Sequence, residues 1–216
     1  MRTLLLAMLL LLAGAPAARA AVTVEMDLDP AETSWGEPTE VIGTVKVDGA
    51  PAARRPVQLE GRRWPFDEDY RVLDESTTLD DGTFSFTREL DRNWDLRVVS
   101  GRARSEKQRA FVFPAFAVTD RDLGSRRVRL TARYRVPRGT KLRRPTIFYV
   151  ARRGAKSAPE VARSEVVRVR PGRYRSTAVV RIPKRWAGYR FAGCFRVTSG
   201  TGMGDLSARC PKRFRF

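Results

Sequence analysis

Thr77-Thr78-Leu79-Asp80-Asp81-Gly82-Thr83-Phe84-Ser85-Phe86-Thr87 is the stretch whose reading decides the fold. Asp81-Gly82 readily takes the positive φ angles of a tight turn, and two short β-prone runs flank it, so the pattern predicts a hairpin. Beyond the turn Phe84 and Phe86 alternate with Thr83, Ser85 and Thr87. One face is aromatic and the other polar, which is the signature of a half-buried strand.

Working outward, the same grammar repeats. Upstream, Val22 to Leu28 alternates cleanly and stops at Pro30, Val41 to Val47 follows, and Val57 to Glu60 makes a third strand. Asp48-Gly49-Ala50-Pro51 between them is turn chemistry. An acidic excursion through Trp64-Pro65-Phe66-Asp67-Glu68-Asp69-Tyr70 interrupts the pattern. Downstream, Leu96 to Val99 and Ala110 to Phe113 close a set of about seven strands with turn signals every 8–12 residues, the spacing of a sandwich. The second half reads as strands at 126–136, 146–152, 165–170, 174–182, 189–198 and 208–216, and no stretch patterns as an amphipathic helix. The expected fold class is therefore all-β, two β-sandwich domains in tandem. The expected divisions are a signal peptide at 1–20, an acidic sandwich at 21–114 and a basic β domain with one disulfide at 115–216.

The run Gly43…Asp48-Gly49-Ala50-Pro51…Val57-Gln58-Leu59…Thr78-Leu79-Asp80-Asp81-Gly82-Thr83-Phe84-Ser85-Phe86 resembles bacterial immunoglobulin-like and carboxypeptidase-regulatory-like domains. The resemblance covers about 95 residues of the first half. It implies an immunoglobulin-like first domain, and it implies little about activity, because such modules serve as spacers, adhesins and accessory domains. The Trp-containing insertion between Arg62 and Arg71 departs from the short loops of that family. The second half carries no such resemblance.

Charge divides the chain sharply. Residues 21–114 hold 13 Lys and Arg against 19 Asp and Glu, whereas residues 115–216 hold 27 against 5. An asymmetry of this size points to an anionic partner for the second half. Arginine supplies 36 of the 42 positive charges. A GC-rich coding bias accounts for arginine over lysine, but not for the loss of acids. Histidine is absent, which excludes Ser-His-Asp and Cys-His catalysis and His-ligated metals.

Within the second half, strand parity collects arginines. Val128, Leu130, Ala132, Tyr134 and Val136 share one face; Arg127, Arg129, Arg133 and Arg135 share the other. The same parity is expected to add Arg168 and Arg170 from one strand and Arg175 and Arg181 from another. Two readings stand side by side: a site for an anionic polymer, or a solvated outer face.

Cys194 and Cys210 are the only cysteines, and in an exported chain an isolated pair is expected to form a disulfide. Two free thiols are the alternative, and a redox pair would need the missing Cys-x-x-Cys spacing. The acidic clusters lack a calcium-loop pattern, and no cofactor or metal site is expected. The start of the chain supports export: Met1-Arg2-Thr3, an apolar run from Leu4 to about Leu12, then Ala18-Arg19-Ala20 read as a signal peptide cleaved after Ala20. The run is shorter than the roughly 20 residues that span a bilayer, and nothing later is apolar enough to do so.

The functional expectation is a secreted or envelope-associated, non-enzymatic binding or accessory module. Its partner is expected to be an anionic envelope polymer or an acidic protein surface. No small-molecule substrate is evident, and nucleic acid enters only as an extracellular polyanion.

Overall fold

The computed structural model describes residues 20–142, 145–152, 160–182, 184, 190–197, 202–203 and 206–215, of which 149–152, 190–197 and 206–215 are described as backbone only. The first half contains β1 (Val22–Asp29), β2 (Glu32–Ser34), β3 (Pro38–Val47), β4 (Ala50–Pro51), β5 (Pro56–Arg63), β6 (Arg71–Thr77), β7 (Thr83–Glu89), β8 (Trp94–Ser100), β9 (Ala103–Arg104) and β10 (Gln108–Phe113). The second contains β11 (Ala115–Asp122), β12 (Arg127–Arg135), β13 (Thr146–Arg152), β14 (Glu160–Ser164), β15 (Val167–Arg170), β16 (Arg173–Arg181), β17 (Arg190–Val197) and β18 (Leu206–Arg215). Two stacked sheets form each half. Their orders are β1-β3-β4 with β7 on β3, and β2-β10-β8-β5-β6 with β9 on β8. The second half has β11-β12-β16-β15 and β14-β13-β17-β18. Alternation explains the stacking: Val41, Val45, Phe84 and Phe86 of one sheet meet Val57, Leu59, Leu96 and Val98 of its partner in a buried apolar layer.

The deciding stretch makes its strand but not its hairpin. Phe84 and Phe86 are buried, with ring centroids 5.9 Å apart, while Ser85 and Thr87 face solvent. The strands on either side of Asp81-Gly82 belong to different sheets, because β6 pairs with β5 and β7 pairs with β3. The turn is a corner that carries the chain across the sandwich. Gly82 sits at φ +77°, donates its N–H to the Leu79 carbonyl and accepts from Val45 N–H at 2.9 Å. A Cβ there would lie 2.8 Å from the Val45 oxygen, so only glycine fits. Asp81 braces the corner by accepting from Thr83 N–H and hydroxyl at 3.0 and 2.6 Å.

The excursion after β5 folds back over the outer face of its own sheet. Cross-strand register lines up Arg62, Asp95 and Arg109 in one row and Glu60 with Arg97 in the next. Arg109 donates to both Asp95 carboxylate oxygens, at 2.7 and 3.3 Å, and Arg62 donates at 3.3 Å. Tyr70 stacks beneath the guanidiniums of Arg62 and Arg97, 4.9 and 3.9 Å from the ring centre, and Phe66 receives Arg109 at 4.2 Å. Asp95 is thereby almost wholly buried. Burial pushes its carboxyl up, but the Arg109 hydrogen bond and charge, the Arg62 hydrogen bond and the Lys107 charge together hold it below the usual range.

The halves meet at the base of this excursion. Asn93 accepts Trp64 N–H through its carbonyl, accepts Val112 N–H through its side chain, and donates its own N–H to the Gly202 carbonyl at 2.7 Å. Gly202, at φ +78°, lies flat on the Trp64 indole: a Cβ would stand 2.6 Å from the ring. Apolar packing is continuous from Val24 through Phe113 and Val118 to Met203.

The short strands β2, β4 and β9 and the longer β11 and β14 lie outside the expected pattern. Asp120 and Asp122 break the apolar alternation of β11, and β14 (Glu-Val-Ala-Arg-Ser) is short and polar. Residues 1–19 and the side chains of Cys194 and Cys210 lie outside the described residues, and with them the expected signal peptide and disulfide. The backbones of positions 194 and 210 belong to the paired strands β17 and β18, beside a register shift.

Candidate polyanion-binding face

The site begins with β12. Val128, Leu130, Ala132 and Tyr134 turn into the second sandwich, which obliges Arg127, Arg129, Arg133 and Arg135 to face outward. The apolar side is pinned to the opposite sheet by Tyr134, whose hydroxyl meets Thr146 Oγ1 at 2.9 Å, and by Ser164 Oγ donating to the Thr177 carbonyl at 2.8 Å. Burial raises the Tyr134 phenol far above its ordinary range, against the opposing pull of the Thr146 hydrogen bond.

β16 runs antiparallel beside β12, and its register is in phase. Arg127 stands opposite Arg181, Arg133 opposite Arg175, and Arg135 opposite Arg173. On the other flank Arg121 of β11 stands opposite Arg129. A threonine row, Thr119–Thr131–Thr177, crosses the sheet between these groups, with the last two hydroxyls 3.4 Å apart. The arginines therefore form two clusters, Arg121/Arg127/Arg129/Arg181 and Arg133/Arg135/Arg173/Arg175, about 20 Å apart along the strand at roughly 3.4 Å per residue.

The second cluster borders a concavity of about 550 Å³ lined by Arg133, Arg135, Arg170, Arg173 and Arg175 together with the apolar Ala115, Ala117 and Val169. The acids of β11 share the inward parity, since Asp120 pairs with Leu130 and Asp122 with Val128. Among the described residues the second half has one ion pair, Arg163–Glu160, and none of the outward arginines takes part in it.

Strict alternation misplaces one residue. Arg168 pairs with Tyr174 and so carries the inward parity, while Val167 stands beside Arg175 on the arginine side. A register shift between Arg168 and Arg170 then returns Arg170 to the outward row beside Arg173. β15 is an edge strand exposed along its whole length, so no apolar burial forces its parity. Arg173 and Arg121 join the face in addition to the arginines expected from the sequence. Arg173 continues the parity of Arg175 and carried a usable signal; Arg121 lies on the unexpected strand β11.

Two adjacent guanidiniums in this layout present planar, multiply donating forks to one anion. Among the described residues no group of three or more His, Cys, Asp or Glu is placed to hold a metal ion.

No family model matches the chain, and no curated protein matches it. Among solved structures it is similar to a DUF4785 family protein from Legionella pneumophila, with 13% identity and a TM-score of 0.53, over 89% of this chain and 55% of that one. It also matches the native conformation of Escherichia coli alpha-2-macroglobulin, with 13% identity and a TM-score of 0.39, over 93% of this chain and 14% of that one. The chain thus spans about half the length of the first and a small part of the second. The first likeness shows the β-sandwich fold alone.

Proposed function

We propose that this chain is an exported, non-enzymatic binding module whose arginine face engages an anionic polymer of the cell envelope, with an immunoglobulin-like, carboxypeptidase-regulatory-like first sandwich as its carrier. The observation that carries the reading is the directly opposed arginine pairs on β12 and β16, which among the described residues form no ion pair with a carboxylate. Like charges held opposite one another cost stability, and an incoming polyanion removes that cost. It also releases its own condensed counter-ions, so its affinity falls steeply with salt, as it does for nucleic acid.

The test is elution from immobilised teichoic acid in a salt gradient. Wild type is expected to be retained at low salt and released at high salt, and Arg129→Gln/Arg133→Gln to elute at markedly lower salt with an unchanged melting temperature or a higher one. An unchanged elution point, or loss of the fold, would overturn the assignment of this face.

A further inference from the structure

The outward face of the first sheet repeats the design of the arginine face with the sign reversed. Register sets Glu25, Asp27 and Asp29 of β1 opposite Thr44, Ile42 and Glu40 of β3, and burial alternation turns all four carboxylates away from the core. Asp29 and Glu40 are directly opposed like charges, the acidic counterpart of Arg133 and Arg175. Glu89 of β7 extends the row past Pro38. Lys46, 3.6 Å from Glu25, is the one cation there among the described residues. A groove of about 620 Å³ follows the sheet between Glu25, Asp27, Thr44 and the corner at Leu79.

Each face also offers apolar contact amid its charge. Ile42 is 39% and Leu79 65% exposed on the acidic side, and Val167 and Val179 are 58% and 53% exposed among the arginines. Within one chain the two faces share no ion pair among the described residues.

We propose that the acidic β1–β3–β7 face is a docking surface for a second copy of this chain, whose β11–β12–β16 arginine face it receives. Opposite potentials on two β faces steer and register such an encounter, and the exposed aliphatic residues give it a desolvated centre. The contact is heterologous: each copy uses one face and leaves the other free, so assembly grows head to tail rather than stopping at a symmetric dimer. This inference does not rest on the polymer reading, although both occupants compete for the same arginines.

Sedimentation of the full chain tests it. At about 20 mM salt, where screening is weak, the average mass of wild type is expected to climb with concentration. At about 500 mM it should fall to that of the monomer. Asp27→Asn/Asp29→Asn/Glu40→Gln neutralises the centre of one face, and Arg127→Gln/Arg133→Gln/Arg175→Gln/Arg181→Gln breaks both clusters of the other. Each variant alone should stay monomeric, and an equimolar mixture should stop at a dimer, because one intact acidic face meets one intact arginine face. A wild type that is monomeric at about 100 μM in low salt, continued growth of either variant alone, or a mixture that stays monomeric would overturn the proposal. Teichoic acid retention of the acidic-face variant separates the two readings. Its loss of retention with the assembly results intact would sink the polymer reading alone, and retention with no assembly would sink this one alone.

Discussion

Relieving one arginine pair should stabilise the chain at low salt. Arg133 and Arg175 stand directly opposite on adjacent strands, as do Arg127 with Arg181 and Arg135 with Arg173. Two guanidiniums about 7 Å apart in a water-like dielectric repel by about 0.6 kcal/mol. Three such pairs sum to about 2 kcal/mol at low ionic strength. Raising salt from about 10 to 500 mM shrinks the screening length from about 30 to about 4 Å and removes most of that repulsion. For a chain of this size each kcal/mol moves the melting temperature by about 2–4 °C, so wild type is expected to gain about 4–8 °C across the range. Arg133→Gln/Arg175→Gln deletes one pair and its diagonal contacts with Arg135 and Arg173, about 1 kcal/mol, while Gln keeps much of the aliphatic stem. The variant should therefore melt about 2–4 °C above wild type in 10 mM salt and level with it in 500 mM. Differential scanning fluorimetry over a salt series, on chain diluted until sedimentation shows a monomer at about 10 mM salt, reads both numbers without a contribution from assembly. A wild-type melting temperature indifferent to salt, or a variant that melts lower at 10 mM, would show that the face carries no standing repulsion.

Three further outcomes follow from features outside that face. Asp95→Asn leaves the partly exposed Arg62 and Arg109 without their shared carboxylate, a loss of about 2 kcal/mol, below the full buried-pair value because both arginines reach water. Since the Asp95 pKa is depressed on folding, its stabilisation is present above the unfolded value near 3.9 and fades as pH falls through the lower folded value. Denaturation curves of wild type and variant should therefore converge below about pH 4, and curves that stay parallel would contradict the ion-pair account. Gly82→Ala combines a positive φ with contact against the Val45 carbonyl and should cost about 2–3 kcal/mol in urea unfolding; a neutral result would mean that the corner is not as tight as described. Cys194 and Cys210 are expected to be joined, so non-reducing peptide mapping should recover one linked pair, and two alkylatable thiols in native protein would refute the pairing.

What the sequence discloses depends on how local the cause is. The burial of Phe84 and Phe86 and the outward arginines of β12 follow from alternation within a single strand, and they could be read directly. Whether Asp81-Gly82 makes a hairpin or a corner depends on where β6 finds its partner, which is β5, on the far side of the excursion from β6. Arg168 was misplaced because one extra residue in an edge strand shifts parity, and a solvated strand has no apolar pattern to reveal it. The acidic, aromatic excursion looked anomalous because its role is tertiary: Tyr70 and Phe66 are spaced to meet guanidiniums on β5, β8 and β10.

The junction of Trp64, Asn93 and Gly202 bears on the order in which the molecule is completed. Synthesis delivers the first sandwich well before residue 202, and domains generally fold in that order. Until Gly202 arrives, one face of the Trp64 indole and the Asn93 N–H form an open socket at the end of an otherwise finished sandwich. Gly202, which fills it, lies in the chain between β17 and β18, so seating that strand pair and closing this end of the first sandwich are one event.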